Sequence, residues 1–133
     1  LVGYPTEDET EFQKTLDMLE NYNWINEKKL VRSVALGPTL DIVPGSPLDW
    51  NQKQLGITWD ENNHWVYQDN TREVRIRRWL RLKEKCLELD YPVVEKATDH
   101  LLAELEKITN QKQQIAHIYD HYNEGGGPMG PSV

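Results

Sequence analysis

His117 and His121 stand four residues apart with Asp120 between them. On a helix that spacing stacks two imidazoles one turn apart, close enough to share a divalent cation. No third ligand is evident beside them, so two solvent-facing histidines on a polar face remain the simpler reading. Cys86 is the single thiol in 133 residues. It excludes an internal disulfide, it suits a reducing compartment, and it cannot by itself hold an iron–sulfur cluster, which takes several thiolates. Nothing adjacent in the chain would lower its pKa, and Cys86 is expected as a small core residue. Gly45, Ser46 and Pro47 are expected to form a turn and not a phosphate cradle, because there is no repeated glycine and no Lys-Ser/Thr pair. Arg77, Arg78, Arg81 and Lys85 gather on one side of an expected helix, either as a solvated face beside Glu84 and Glu88 or as a docking strip for an acidic peptide or domain. Arg75 projects beside the apolar arc of the same helix and, if buried, needs a carboxylate or carbonyl partner. No set of residues reads as the acid, base or nucleophile of a self-contained enzyme.

The elements that would position these groups follow from spacing. Leu1 and Val2 read as the end of a strand, Gly3 and Pro5 as a tight turn, and Phe12, Leu16 and Leu19 as the apolar stripe of a first helix. Thr6 and Glu9 stand at capping-box spacing, and Glu7, Asp8, Glu9 and Glu11 place negative charge at the positive end of the helix dipole. A strand feeding a helix in this way belongs to a βα unit of a larger sheet, and the chain opens on that strand without an initiator Met. A piece of a longer polypeptide, entered in mid-sheet, is therefore expected. Asn21 to Asn26 read as a loop, and a strand is expected over most of Val31 to Leu36, resuming near Leu40, at an edge or with a bulge where Gly37 and Pro38 interrupt it. Leu55 to Tyr67 suggests a hairpin with aromatics on both arms and His64 facing solvent in its turn. Trp24, Trp50, Trp59, Trp65 and Trp79 are expected to pack against the body of the protein. A helix is expected over Asn70 to Asp90, capped by Asn70 and Glu73, with Val74, Ile76, Trp79, Leu80, Leu82, Cys86, Leu87 and Leu89 on its apolar arc. A third helix starts at Thr98 or Asp99 and runs to about Asn123. Leu101, Leu105, Ile108, Lys112, Ile115, Tyr119 and Tyr122 form a heptad seam on it that asks for a partner helix. Residues 124–133, EGGGPMGPSV, read as a linker or disordered tail.

The stretch GYPTEDETEFQKTLDML, followed by LDIVPGSPL, resembles the late part of the radical SAM barrel, in the branch whose members often carry a cobalamin-binding domain. There a strand enters a Gly-aromatic-Pro-Gly-Glu-Thr turn, a helix follows with a Phe and a Thr-Leu pair, and the last strand leads to Pro-Gly-Ser-Pro or Pro-Gly-Thr-Pro. Gly3, Tyr4, Pro5, Glu7, Phe12, Thr15, Leu16 and Pro44 to Pro47 fit, while Thr6 stands where the family usually has Gly. WVYQDNTREVRIRRWLRLKEKCLELDYPV is similar to the region after the barrel, so the resemblance covers Leu1 to Val94. It implies an α/β fold. Residues 1–50 would be the C-terminal βαβ portion of a partial (β/α)6 barrel, 51–123 a small β-hairpin with a helical C-terminal region, and 124–133 the Gly/Pro-rich tail. It also implies a radical SAM enzyme, in which cluster-bound S-adenosylmethionine is cleaved reductively and the resulting radical abstracts hydrogen from a substrate, a peptide or a small molecule. By position, Leu1, Gly3, Tyr4, Pro5, Ile42 and Val43 would lie on the cofactor side, the [4Fe-4S] ligands would lie upstream in the remainder of the same enzyme, and cobalamin would be a further cofactor in some members. The piece alone would be inactive.

Bulk properties narrow the alternatives. Net charge is -7, with a pI near 5.1, which argues against a general nucleic-acid binder because phosphate neutralisation needs a basic surface. No run reaches membrane-spanning length, no signal peptide is visible, and a cytoplasmic setting is expected. A hydrophobic content of 38% with a mean hydropathy of -0.75 is polar for this length, as for a core completed by other segments. The alternative from a different class is a non-catalytic acidic helical interaction module whose binding surface is the heptad seam.

Overall fold

A computed structural model describes residues 2–125, with side chains through residue 120. The chain divides into two compact units, Leu1–Thr98 and Asp99–Val133. The first holds five helices, α1 (Glu9–Asn21), α2 (Asn23–Glu27), α3 (Pro47–Trp50), α4 (Gln52–Leu55) and α5 (Arg72–Glu88), and four two-residue strands, β1 (Val34–Ala35), β2 (Thr58–Trp59), β3 (Trp65–Val66) and β4 (Val93–Val94). The second is carried by α6 (Thr98–Gly125).

Local chemistry explains where α1 and α5 begin. The Tyr4–Glu7 turn closes with the Glu7 amide donating to the Tyr4 carbonyl at 2.9 Å, which occupies the residues expected to cap the helix. The cap moves to Asp8, whose carboxylate accepts from the Glu11 amide at 2.8 Å. Glu7 turns back, and its Oε1 accepts from the Gly3 amide at 3.1 Å. At α5 the cap is Thr71, accepting from the Val74 amide at 3.2 Å, because Asn70 is drawn into a tertiary contact.

The helices α1 and α5 pack face to face. Val2, Phe12, Leu16 and Leu82 form the buried cluster between them, with Leu19 and Leu36 against its edge. Burying a side chain such as Phe12 contributes about 1.5–3 kcal/mol. Of the ion pairs that flank the cluster, those to Glu9 and Glu20 involve exposed carboxylates and add little to stability, while Arg78 also lies 3.9 Å from the largely buried Glu7. Apolar contact therefore holds the pair together and the charges set its register. The core of the first unit joins α1, before residue 50, to its partner α5 after it.

The strands are shorter than the sequence suggests, and they pair differently. β1 runs parallel to β4, with Val34 opposite Val93 and Ala35 opposite Val94, so the crossover passes through the hairpin and α5. The expected run over Val31 to Leu36 shrinks to two residues because β4 offers only two partners. Val2 forms no ladder among the described residues; its carbonyl accepts one backbone bond, from the Leu40 amide at 3.1 Å. The aromatic hairpin is present, with Thr58 opposite Val66 and Trp59 opposite Trp65. Asp60 holds its turn by accepting from the Asn62 and His64 amides, both at 2.9 Å, with Asn63 at φ +62. No described helix is long and apolar enough to cross a membrane. Of the expected 124–133 tail, Glu124 and Gly125 continue α6 and the remainder lies outside the described residues.

Candidate functional site

Arg75 is the buried polar centre of the first unit, 1% exposed. Its guanidinium lies 3.7 Å from the Trp65 ring centroid, its Nη2 donates to the Trp65 carbonyl at 2.9 Å, and its Nη1 donates to the Asn70 carbonyl at 2.9 Å. The carbonyl partners that burial demanded are thus supplied by the hairpin and by the turn before α5. Asn70, itself 4% exposed, extends the network, its amide nitrogen donating to the Tyr4 carbonyl at 2.9 Å and to the Pro5 carbonyl at 3.2 Å. Two indoles finish it: Trp65 Nε1 donates to the Leu40 carbonyl at 3.1 Å, and Trp79 Nε1 to the Gly37 carbonyl at 2.7 Å.

A cleft of about 320 Å³ opens beside Arg75, between the Asp41–Pro44 segment and the hairpin. Ile42 and Val43 line it together with Trp59, His64 and Trp65. Trp59 is 44% exposed, and its indole is held by Nε1 donating to Gln52 Oε1 at 2.7 Å. His64 is half-buried there, with Nδ1 3.8 Å from Asp60 Oδ2, instead of facing solvent in the turn as its sequence position suggested.

The six residues expected on the cofactor side are divided by this geometry. Ile42 and Val43 line the cleft. Gly3, at φ +101, lies against Arg75, so close that a Cβ there would meet Arg75 Cδ at 2.8 Å. Tyr4 is 52% exposed and engages through its carbonyl, whereas Pro5 borders a second cleft, of about 440 Å³, with Glu7, Asp69 and Arg78. Leu1 lies outside the described residues. Asn70, Trp65 and Asp41 were not singled out for the site from the sequence; their roles come from contacts that span from five to sixty-six positions of chain.

The basic side of α5 is only partly solvated: Arg77 and Arg81 stay exposed, while Arg78 is buried and Arg78, Arg81 and Lys85 pair with α1. Arg78 is 7% exposed and donates to the Glu7 carbonyl at 2.7 Å, Arg81 pairs with Glu9 at 2.6 Å, and Lys85 pairs with Glu20 at 2.6 Å. The Arg81 hydrogen bond holds the Glu9 carboxyl below its ordinary range, and the Glu20 hydrogen bond raises the Lys85 ammonium. Arg77, the most solvent-facing of the set, lies 3.8 Å from Glu73 on its own helix. Of the five tryptophans, Trp65 and Trp79 are buried as expected, while Trp24 and Trp50 stand 53% and 73% exposed, since the short segments that carry them bury no residue.

Other candidate chemistry resolves plainly. Cys86 is fully buried, and burial pushes its thiol pKa up, which makes it a core residue and no nucleophile. The Gly45 amide is bonded to Asp49 Oδ2 at 2.8 Å and Ser46 caps α3, so a carboxylate of the chain occupies the place a phosphate would take. His117 is exposed and the His121 side chain is not among those described; no group of three or more potential metal ligands occurs among the described residues. In comparisons with known proteins the chain matches no family model, no curated protein and no solved structure.

Proposed function

We propose that this chain is part of a radical SAM enzyme, of the branch in which a cobalamin-binding domain is frequent, and that residues 1–50 are the closing βαβ portion of its partial (β/α)6 barrel. The observation that carries the reading is the hydrogen bond from the Leu40 amide to the Val2 carbonyl, 3.1 Å long. It sets the chain entering Gly3, Tyr4 and Pro5 beside the chain entering Ile42 and Val43, with α1 between them in sequence, as two neighbouring barrel strands would stand.

S-adenosylmethionine suits the cleft by chemistry. Its adenosyl group, a flat heterocycle on a hydroxylated sugar, matches apolar walls from Ile42, Val43 and Trp59 beside the polar groups of Asp41 and Asn63. When bound and reduced, the cofactor supplies a carbon radical that takes hydrogen from a peptide or small-molecule substrate. This chain's residues would bind and orient; Trp59 and Trp65 line one side of the cleft. A [4Fe-4S] cluster does not fit the donors present, since the one thiol is buried in the core, so its ligands belong to the upstream remainder of the enzyme. No residue here is assigned to cobalamin. A single reduced thiol agrees with a cytoplasmic setting.

Anaerobic purification of the native polypeptide that contains this chain tests the reading. Iron and sulfide, together with 5′-deoxyadenosine released from S-adenosylmethionine under reduction, are the expected result, and cobalt would add cobalamin. A folded, metal-free native product that does not bind S-adenosylmethionine overturns it. That outcome leaves the non-catalytic interaction module, which one observation favours: Ile115, Ile118 and Tyr119 stand 61%, 62% and 70% exposed on α6.

A further inference from the structure

We infer that Arg75 is the positioning residue of the candidate cofactor cleft, locking the Gly3–Tyr4–Pro5 turn and the Ile42–Val43 segment to each other so that both move as one body. The inference rests on the functional reading above for the cofactor's identity, but its geometry stands independently.

Two routes lead from Arg75 to the two segments. On the turn side, its Cγ and Cδ fill the space a side chain at Gly3 would take, and its Nη1 holds the carbonyl of Asn70, whose amide in turn bonds the Tyr4 and Pro5 carbonyls. On the other side, its Nη2 holds the Trp65 carbonyl and its guanidinium stacks on the Trp65 ring, while the Trp65 indole bonds the carbonyl of Leu40, two residues before Ile42. The Leu40 amide then bonds Val2, one residue before Gly3, and the loop closes on itself. Arg72, one residue beyond the Thr71 cap, adds a hydrogen bond to Thr39, which is 5% exposed.

A planar guanidinium with several fixed donors is suited to this task. It satisfies two buried carbonyls in set directions and still offers a flat face to an indole, which an ammonium cannot do. Because Arg75, Trp65 and Asn70 are almost wholly buried, a shift of either segment would strand a polar group away from water, which is costly. That cost is what couples the segments.

The test uses the full chain, with two variants. Arg75→Lys keeps the charge but loses the fork; Trp65→Phe keeps an aromatic ring over the guanidinium while deleting the indole donor to Leu40 together with part of the buried ring. Amide hydrogen exchange is read at Glu7, whose amide bonds the Tyr4 carbonyl, and at Ser46, whose amide bonds the Val43 carbonyl. Circular dichroism checks that α1 and α5 persist, and binding of S-adenosylmethionine is measured on the same samples. The expected result is that exchange at both amides accelerates together, by about tenfold for Trp65→Phe if one neutral hydrogen bond is lost, with weaker cofactor binding. A folded variant in which one amide or neither responds overturns the inference, and Trp65→Phe decides alone if Arg75→Lys does not fold. Failure of the unaltered chain, and of the native polypeptide containing it, to bind S-adenosylmethionine would count against the functional reading, while the paired exchange response still judges the clamp.

Discussion

Gly3 shows how one backbone angle carries the architecture. At φ +101 it sits where L side chains rarely go, and it also gives up its side-chain space to Arg75. Gly3→Ala is therefore strained twice, by backbone and by contact, and should destabilise the fold by about 1–3 kcal/mol in urea titration. A change below a few tenths of a kcal/mol would mean that the turn relaxes freely. The glycine was legible in the sequence as a tight turn. The reason it must stay free of a Cβ was not, because Arg75 lies seventy-two positions away in the chain. The need of Arg75 for carbonyl partners was legible too, from a charge beside an apolar arc. Which carbonyls would serve depended on a hairpin and a turn whose placement no local rule determines.

At the scale of elements, one carboxylate gathers the end of the first unit, after β4. Glu95 accepts from Lys83 Nζ at 2.8 Å, from Thr98 Oγ1 at 2.6 Å and from the Ala97 and Thr98 amides at 2.7 and 3.0 Å. These bonds, led by that from Lys83, lower its pKa from 4.5 to about 2. A carboxyl whose pKa falls on folding stabilises the native state fully above the unfolded value of 4.5 and loses that contribution as pH drops toward 2. The difference in thermal midpoint between the unaltered chain and Glu95→Gln should thus be constant near neutrality and shrink below pH 4.5. A difference independent of pH through that window would show that the clasp does not depend on charge. Helix positions came through well from spacing, for α1, α5 and α6 each follow an apolar stripe and a cap. Caps slipped by one or two residues, because Thr6 was spent in a turn and Asn70 in a tertiary bond.

For the whole molecule, charge and pairing decide which partners are open to it. Twenty-two acidic residues stand against fifteen basic ones, and Arg78, Arg81 and Lys85 are already paired with α1. At about 0.15 M salt, where the screening length is near 8 Å, the chain should pass a heparin column unretained. Retention would reveal a basic surface that the pairing with α1 leaves open. The two units differ in kind: one is built on a shared apolar core, while the other leaves Ile115, Ile118 and Tyr119 to solvent.

The sequence by itself determined the three long helices α1, α5 and α6, the aromatic hairpin, the buried cysteine and the buried arginine's need for partners, because each follows from spacing or from the cost of desolvating one group; the short helices α2, α3 and α4 carry no apolar stripe to announce them. Only the tertiary structure decided that the basic strip docks on α1, that β1 pairs with β4, and that Ile42 and Val43 share a cleft with Trp59 and Arg75. Those outcomes depend on which distant surfaces meet, and the energies that select among such meetings are sums over contacts that no local spacing encodes.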